Sequence, residues 1–169
     1  MDVQPGACNI RLAGSKRYLL PTMYGSEAEV EAATGICIWQ AIRVDKKGTK
    51  IFGTSIATSK NTIEVIRSGT PGIFAFRRGR QYVRAINENW ALCFSNPLHK
   101  LPTRESDFEL FRVKRQIPTS ENDGTFRAII FSVNTGKFVI ASPSGELFAN
   151  QFDASRATEF VFESKSLFY

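Results

Sequence analysis

The stretch that decides the fold runs from Ile129 to Phe162. It reads Ile129-Ile130-Phe131, then Gly136-Lys137-Phe138-Val139-Ile140-Ala141, then Gly145-Glu146-Leu147-Phe148-Ala149-Asn150, then Thr158-Glu159-Phe160-Val161-Phe162. Apolar side chains alternate within these runs, the period of a half-buried strand. Turn formers such as Pro143-Ser144-Gly145 separate them, supplying the fixed or positive φ angles that reversals need. The reading is four short strands in succession.

The same order of parts recurs upstream. A middle copy reads Ile73-Phe74-Ala75-Phe76, Gly79-Arg80-Gln81-Tyr82-Val83-Arg84-Ala85, Trp90-Ala91-Leu92-Cys93-Phe94-Ser95-Asn96 and Asp107-Phe108-Glu109-Leu110-Phe111. A weaker first copy reads Asn9-Ile10-Arg11-Leu12, Ser15-Lys16-Arg17-Tyr18-Leu19-Leu20, Glu29-Val30-Glu31-Ala32 and Ile36-Cys37-Ile38-Trp39. Repetition at a fixed interval marks an architecture built from equivalent units. The prediction is a single all-β domain over 1–169, with three four-stranded repeats at about 8–44, 71–115 and 126–165. The first interval is too long, and the surplus falls in 45–70. That segment holds Lys50-Ile51-Phe52 and Thr62-Ile63-Glu64-Val65-Ile66, read as an extra hairpin or an insertion.

Composition agrees with one globular unit. The chain has 169 residues, 43% hydrophobic and 22% charged, enough for a real core. No apolar run approaches the roughly 20 residues of a membrane-spanning helix. Met1-Asp2-Val3-Gln4-Pro5-Gly6 lacks the basic and apolar regions of a conventional signal peptide. Cys37 and Cys93 lie in apolar runs and read as small buried hydrophobes. The expectation is a soluble monomer, cytoplasmic or exported without a conventional signal peptide.

Three such copies resemble the β-trefoil, a threefold barrel capped by hairpins. Within that superfamily, Ser132-Val133-Asn134-Thr135-Gly136-Lys137-Phe138-Val139-Ile140-Ala141-Ser142 looks most like the interleukin-1-like cytokines. Gly136 stands where those cytokines have Pro, and Ser142 where they have Thr. Fibroblast growth factors and fascin-like trefoils are similar at the same positions. The resemblance implies a binding protein that engages a protein partner or receptor in a cytokine-like way. Carbohydrate or sulfated-glycan binding is the first alternative, and protease inhibition through a loop such as Asn96–Glu105 or Gln116–Gly124 is a further one.

Charge supplies the candidate site. Twenty-two Lys and Arg against 16 acids give +6, and residues 77–115 alone hold nine basic residues against four acids. The dense part is Arg77, Arg78, Arg80 and Arg84, continued by Arg112, Lys114 and Arg115. Clustered arginines hold sulfate, phosphate or carboxylate groups in bidentate fashion and speed encounter with acidic partners. Nucleic acid has no recognition motif to support it.

Catalytic material is sparse. His99 is the single histidine, in a loop, and no acid–base–nucleophile grouping is visible around it. Glu29 and Glu31 share a strand face but have no partner signal. Gly136-Lys137 is followed by Phe138, so it is no phosphate loop. The expectation is a non-enzyme without cofactor or metal.

Overall fold

Alternating apolar residues build strands only where each strand finds a neighbour for its backbone N–H and C=O groups. The computed structural model describes residues 6–15, 17–24, 36–43, 62–78, 81–86, 90–94, 110–116 and 125–164. Among them are twelve strands: β1 (Gly6–Leu12), β2 (Arg17–Tyr24), β3 (Ile36–Arg43), β4 (Thr62–Arg67), β5 (Ile73–Arg78), β6 (Gln81–Ile86), β7 (Ala91–Phe94), β8 (Phe111–Arg115), β9 (Thr125–Ser132), β10 (Lys137–Ala141), β11 (Leu147–Gln151) and β12 (Phe160–Ser164). One 3-10 turn, Ala154–Arg156, is the only helical element in the described residues.

All pairings are antiparallel, and six strands close into a ring. Going around it, β1 pairs with β4, β4 with β5, β5 with β8, β8 with β9, β9 with β12, and β12 with β1. The other six strands form the pairs β2–β3, β6–β7 and β10–β11, and β7 joins all three by touching β3 and β11. Closure leaves no ring strand with a free edge, the surest protection against edge-to-edge association.

The inward faces are filled by bulky side chains. Ile10 (β1), Ile63 and Val65 (β4), Phe74 and Phe76 (β5), Phe111 and Val113 (β8), Ala128 and Ile130 (β9), and Phe160 and Phe162 (β12) form one cluster. Trp39, Val83, Leu92, Phe94, Val139 and Leu147 from the paired strands complete it. Phe76 is its hub: its ring centroid lies 5.4 Å from Trp39, 5.1 Å from Phe111 and 6.4 Å from Phe162. Each such buried aromatic stabilises the fold by about 1.5–3 kcal/mol through area removed from water.

The expectations for the first repeat and for the family need correction. Thr62–Arg67 is not part of an added hairpin: as β4 it is a ring strand, with Ile63 opposite Cys8 and Val65 opposite Phe76. Its alternating Ile63 and Val65 point inward, as a strand between two neighbours requires. Ile36–Trp39, expected as the fourth strand of the first copy, belongs instead to β3 and pairs along β2. Lys50–Phe52, Glu29 and Glu31 lie outside the described residues, as does the Cys37 side chain; Cys93 is buried. The second correction concerns family. The all-β class forms, as a closed barrel, but Phe138 and Val139, within the Ser132–Ser142 stretch that carried the resemblance to interleukin-1-like β-trefoils, are buried packing positions. Any barrel must fill such positions with apolar side chains, so they report packing rather than lineage.

The turn 142–146 is clamped onto the β2–β3 pair. Ala41 N–H donates to the Gly145 carbonyl at 2.8 Å, and Arg17 donates to the carbonyls of Ala41 and Pro143, each at 3.1 Å. Gly145 has φ +94, and a Cβ there would overlap the Ala41 carbonyl and the Arg17 guanidinium. Gly145→Ala should therefore lower stability by about 1–3 kcal/mol, read as an earlier midpoint in urea unfolding.

A second prediction comes from β1, β2 and β12. Burial, and secondarily the Glu163 charge, pushes the Cys8 thiol up to about 12 from 9.0. Burial, with a hydrogen bond to Glu163, pushes Tyr18 up to about 12 from 10.0. Both groups are thus held neutral by folding, so their stabilisation is complete below pH 9 and is lost as pH climbs toward 12. Unfolding free energy measured from pH 8 to 11.5 should fall across that window. Cys8 should also escape iodoacetamide in the native protein at pH 8, as peptide mapping would show.

Candidate functional site

Among the described residues, the basic side chains of the middle copy divide between strands β5, β6 and β8. Arg77 is on β5 beside Glu64 of β4; its Nη2 lies 2.5 Å and its Nε 3.1 Å from Glu64 Oε2. That carboxylate is the main cause holding the Arg77 guanidinium above its ordinary value. Arg77 is consequently committed to a cross-strand ion pair worth about 0.2–1 kcal/mol at this exposure. Arg78 ends β5, opposite Gln81. Arg84 is exposed on β6, opposite Cys93. Arg80 lies outside the described residues, as does His99.

Arg112 and Lys114 sit elsewhere. Their strand β8 meets β5 at Ile73↔Arg112, four residues from Arg77 and so about 13 Å along the strand. The burial of Phe111 and Val113 turns Arg112 and Lys114 outward by alternation. Arg112 stands opposite Phe131 on β9, and the Lys114 ammonium lies 5.4 Å from the Phe138 ring centroid. Neither has a carboxylate partner among the described residues. Arg115 turns to Phe126, its guanidinium 5.3 Å from that ring.

A different surface stands out on solvent exposure. Among the described residues the exposed large hydrophobics are Trp90 at 39%, Val133 at 37% and Phe152 at 78%. They gather around β11. Ala149 N–H donates to the Trp90 carbonyl at 2.9 Å, and its own carbonyl accepts from Thr135 Oγ1 at 3.1 Å, in the turn that follows Val133. Phe152 comes three residues after Ala149.

The ring of Phe152 is framed by polar groups. Lys137 Nζ lies 4.6 Å from its centroid, a cation–π contact. Gln151 Oε1 accepts from Asp153 N–H at 3.2 Å, and Asp153 Oδ1 accepts from Ser155 N–H at 2.9 Å. Asp153 thereby caps the 3-10 turn, and the hydrogen bond from Ser155 is the main cause holding its carboxyl below the ordinary value. This ladder fixes the loop on either side of Phe152. One exposed ring with an ammonium over it thus sits in a loop held on either side by the Gln151 amide and the Asp153 carboxylate. Chemically, such a rim stacks on an apolar ring face and exchanges hydrogen bonds with hydroxyl groups. Among the described residues no group of three or more His, Cys, Asp or Glu could hold a metal ion.

Comparison with known proteins bears on fold. No family model and no curated protein sequence matches the chain. Solved structures do match. One is a salivary protein from Culex quinquefasciatus that belongs to the Cysteins and Tryptophan-Rich (CWRC) family, with TM-score 0.61 and 10% identity over 98% of this chain and 96% of that one. Another is SeviL bound to asialo-GM1 saccharide, with TM-score 0.52 and 12% identity over 96% of this chain and 99% of that one. At such identities the likeness is one of fold. These two neighbours are a salivary protein and a protein bound to a saccharide, and the resemblance to β-trefoil cytokines of the interleukin-1 type is overturned by them.

The split of the basic residues gives a direct test on an anionic column. Replacing Arg112 and Lys114 together by Ala should lower the salt needed to elute the protein from heparin. Arg77→Ala should shift it far less, because Glu64 already offsets that charge.

Proposed function

We propose that this chain is a non-enzymatic carbohydrate-binding protein whose sugar site is the rim around Phe152. One observation carries the reading: a phenylalanine left 78% exposed at the end of a barrel strand, with Lys137 over its ring and Asp153 fixed beside it. Phe152 adds nothing to the core, and its exposed ring offers an apolar face that a ligand can stack on. Sugars offer what the rim can use. Their C–H faces stack on aromatic rings, and their hydroxyls pair with ammonium, amide and carboxylate groups. The likeness of fold to a protein bound to a saccharide supports the same reading.

The test is a glycan array probed with the wild-type protein and with Phe152→Ala. Phe152→Ala removes no buried contact of the core, so it should stay folded with an unchanged melting midpoint while losing at least about tenfold in glycan affinity. Retention of full binding by Phe152→Ala would exclude this rim, and absence of any bound glycan would sink the carbohydrate reading itself.

A further inference from the structure

We infer that Trp90 is a second sugar-stacking position on this surface, so that the site takes an oligosaccharide rather than a single sugar. The inference rests on the carbohydrate reading above and extends it to ligand length. Trp90 immediately precedes β7 and has φ +58, the left-handed region that bulky residues avoid. Holding a non-glycine residue there costs on the order of 1–3 kcal/mol, and glycine would occupy the place without strain. Packing accounts for tryptophan at this position only in part, because the residue is 39% exposed and stands outside the buried core cluster. A strained backbone that displays a large aromatic to solvent is the kind of feature retained for contact with a ligand.

Its position relative to Phe152 sets the ligand's length. The Trp90 carbonyl is bonded to Ala149 N–H, so Trp90 is fixed beside the middle of β11. Phe152 lies three residues further along, about 10 Å at strand rise. No single pyranose ring stacks on both aromatics across that span, whereas successive rings of a chain can. Asn150 and Gln151, both half-buried, fall between them in sequence and by alternation turn to opposite faces of β11, so one of the two amides faces the same side as a ligand laid along it. Thr135 holds the same residue through the Ala149 carbonyl. Two aromatic positions on one backbone-bonded frame thus make an extended strip.

The experiment is titration calorimetry on wild type, Trp90→Gly, Trp90→Phe and Phe152→Ala. The probes are the glycan bound most strongly on an array of mono-, di- and tetrasaccharides that includes the asialo-GM1 saccharide, and the terminal monosaccharide of that glycan. Wild type should bind the longer glycan about tenfold more tightly than the monosaccharide. Trp90→Gly should bring that ratio close to one while leaving monosaccharide affinity unchanged, and Trp90→Phe should restore part of it. Glycine relieves φ +58 while Trp90→Gly removes the covered part of the ring, so the melting midpoint is read alongside, and Trp90→Phe, which keeps an aromatic in place, separates lost binding from lost folding. If Phe152→Ala abolishes binding but Trp90→Gly keeps the full length preference, the second position is overturned and the carbohydrate reading stands. If no glycan binds wild type at all, both are overturned.

Discussion

Phe76 lies where the closed ring meets the paired strands that cover it. Its ring is fully buried and touches Trp39 above, Phe111 of β8 and Phe162 of β12. Those partners come from widely separated parts of the chain, so one side chain fixes how three segments sit on each other. Phe126 and Phe162 stack nearly parallel at 5.0 Å and carry the aromatic layer onward to β9. A core of this kind tolerates little change in volume at its hub, because neighbouring rings cannot close the gap independently. The surface features depend on it. Lys137, Trp90 and Phe152 all belong to strands or turns whose inward neighbours, Val139, Leu92 and Ala149, pack into that cluster.

How much of this was legible in the sequence depended on loop length. Residues 129–162 read correctly as four strands because short turns separate them and each run carries its own apolar residues into the core. The first copy misled because its ring strand β4 begins at Thr62, far from β3 in the chain. Nothing local says that Ile63 meets Cys8 rather than a hairpin partner; that pairing is a property of ring closure. The family resemblance failed for a related reason. Packing residues such as Phe138 and Val139 answer to barrel geometry, which unrelated barrels share.

The site was less legible than the fold. Seven basic residues close in sequence looked like one patch, but strand pairing gave Arg77 to Glu64 and carried Arg112 and Lys114 to another strand. The exposed Phe152 was invisible among 14 phenylalanines, since composition does not tell a core ring from a surface one. A signal existed: Phe152 follows the last residue of β11 and is succeeded by Asp153-Ala154-Ser155-Arg156, a capped turn rather than a strand. An aromatic placed just beyond the end of an apolar alternation has left the core. Trp90 carried no comparable mark, because positive φ at a tryptophan cannot be read from residue type.

Ring closure also orders events in time. Cys8 of β1 faces Ser164 of β12 on one side and Ile63 of β4 on the other, so β1 gains its second neighbour only when the chain has been made through the 160s. Until then β1 and β9 each present an unsatisfied backbone edge, and loop-closure entropy has to be met before that last pairing is rewarded. During synthesis the half-made barrel is an open sheet with sticky margins. For this chain the vulnerable state is therefore the nascent one, and protection from self-association arrives in a single late step rather than strand by strand.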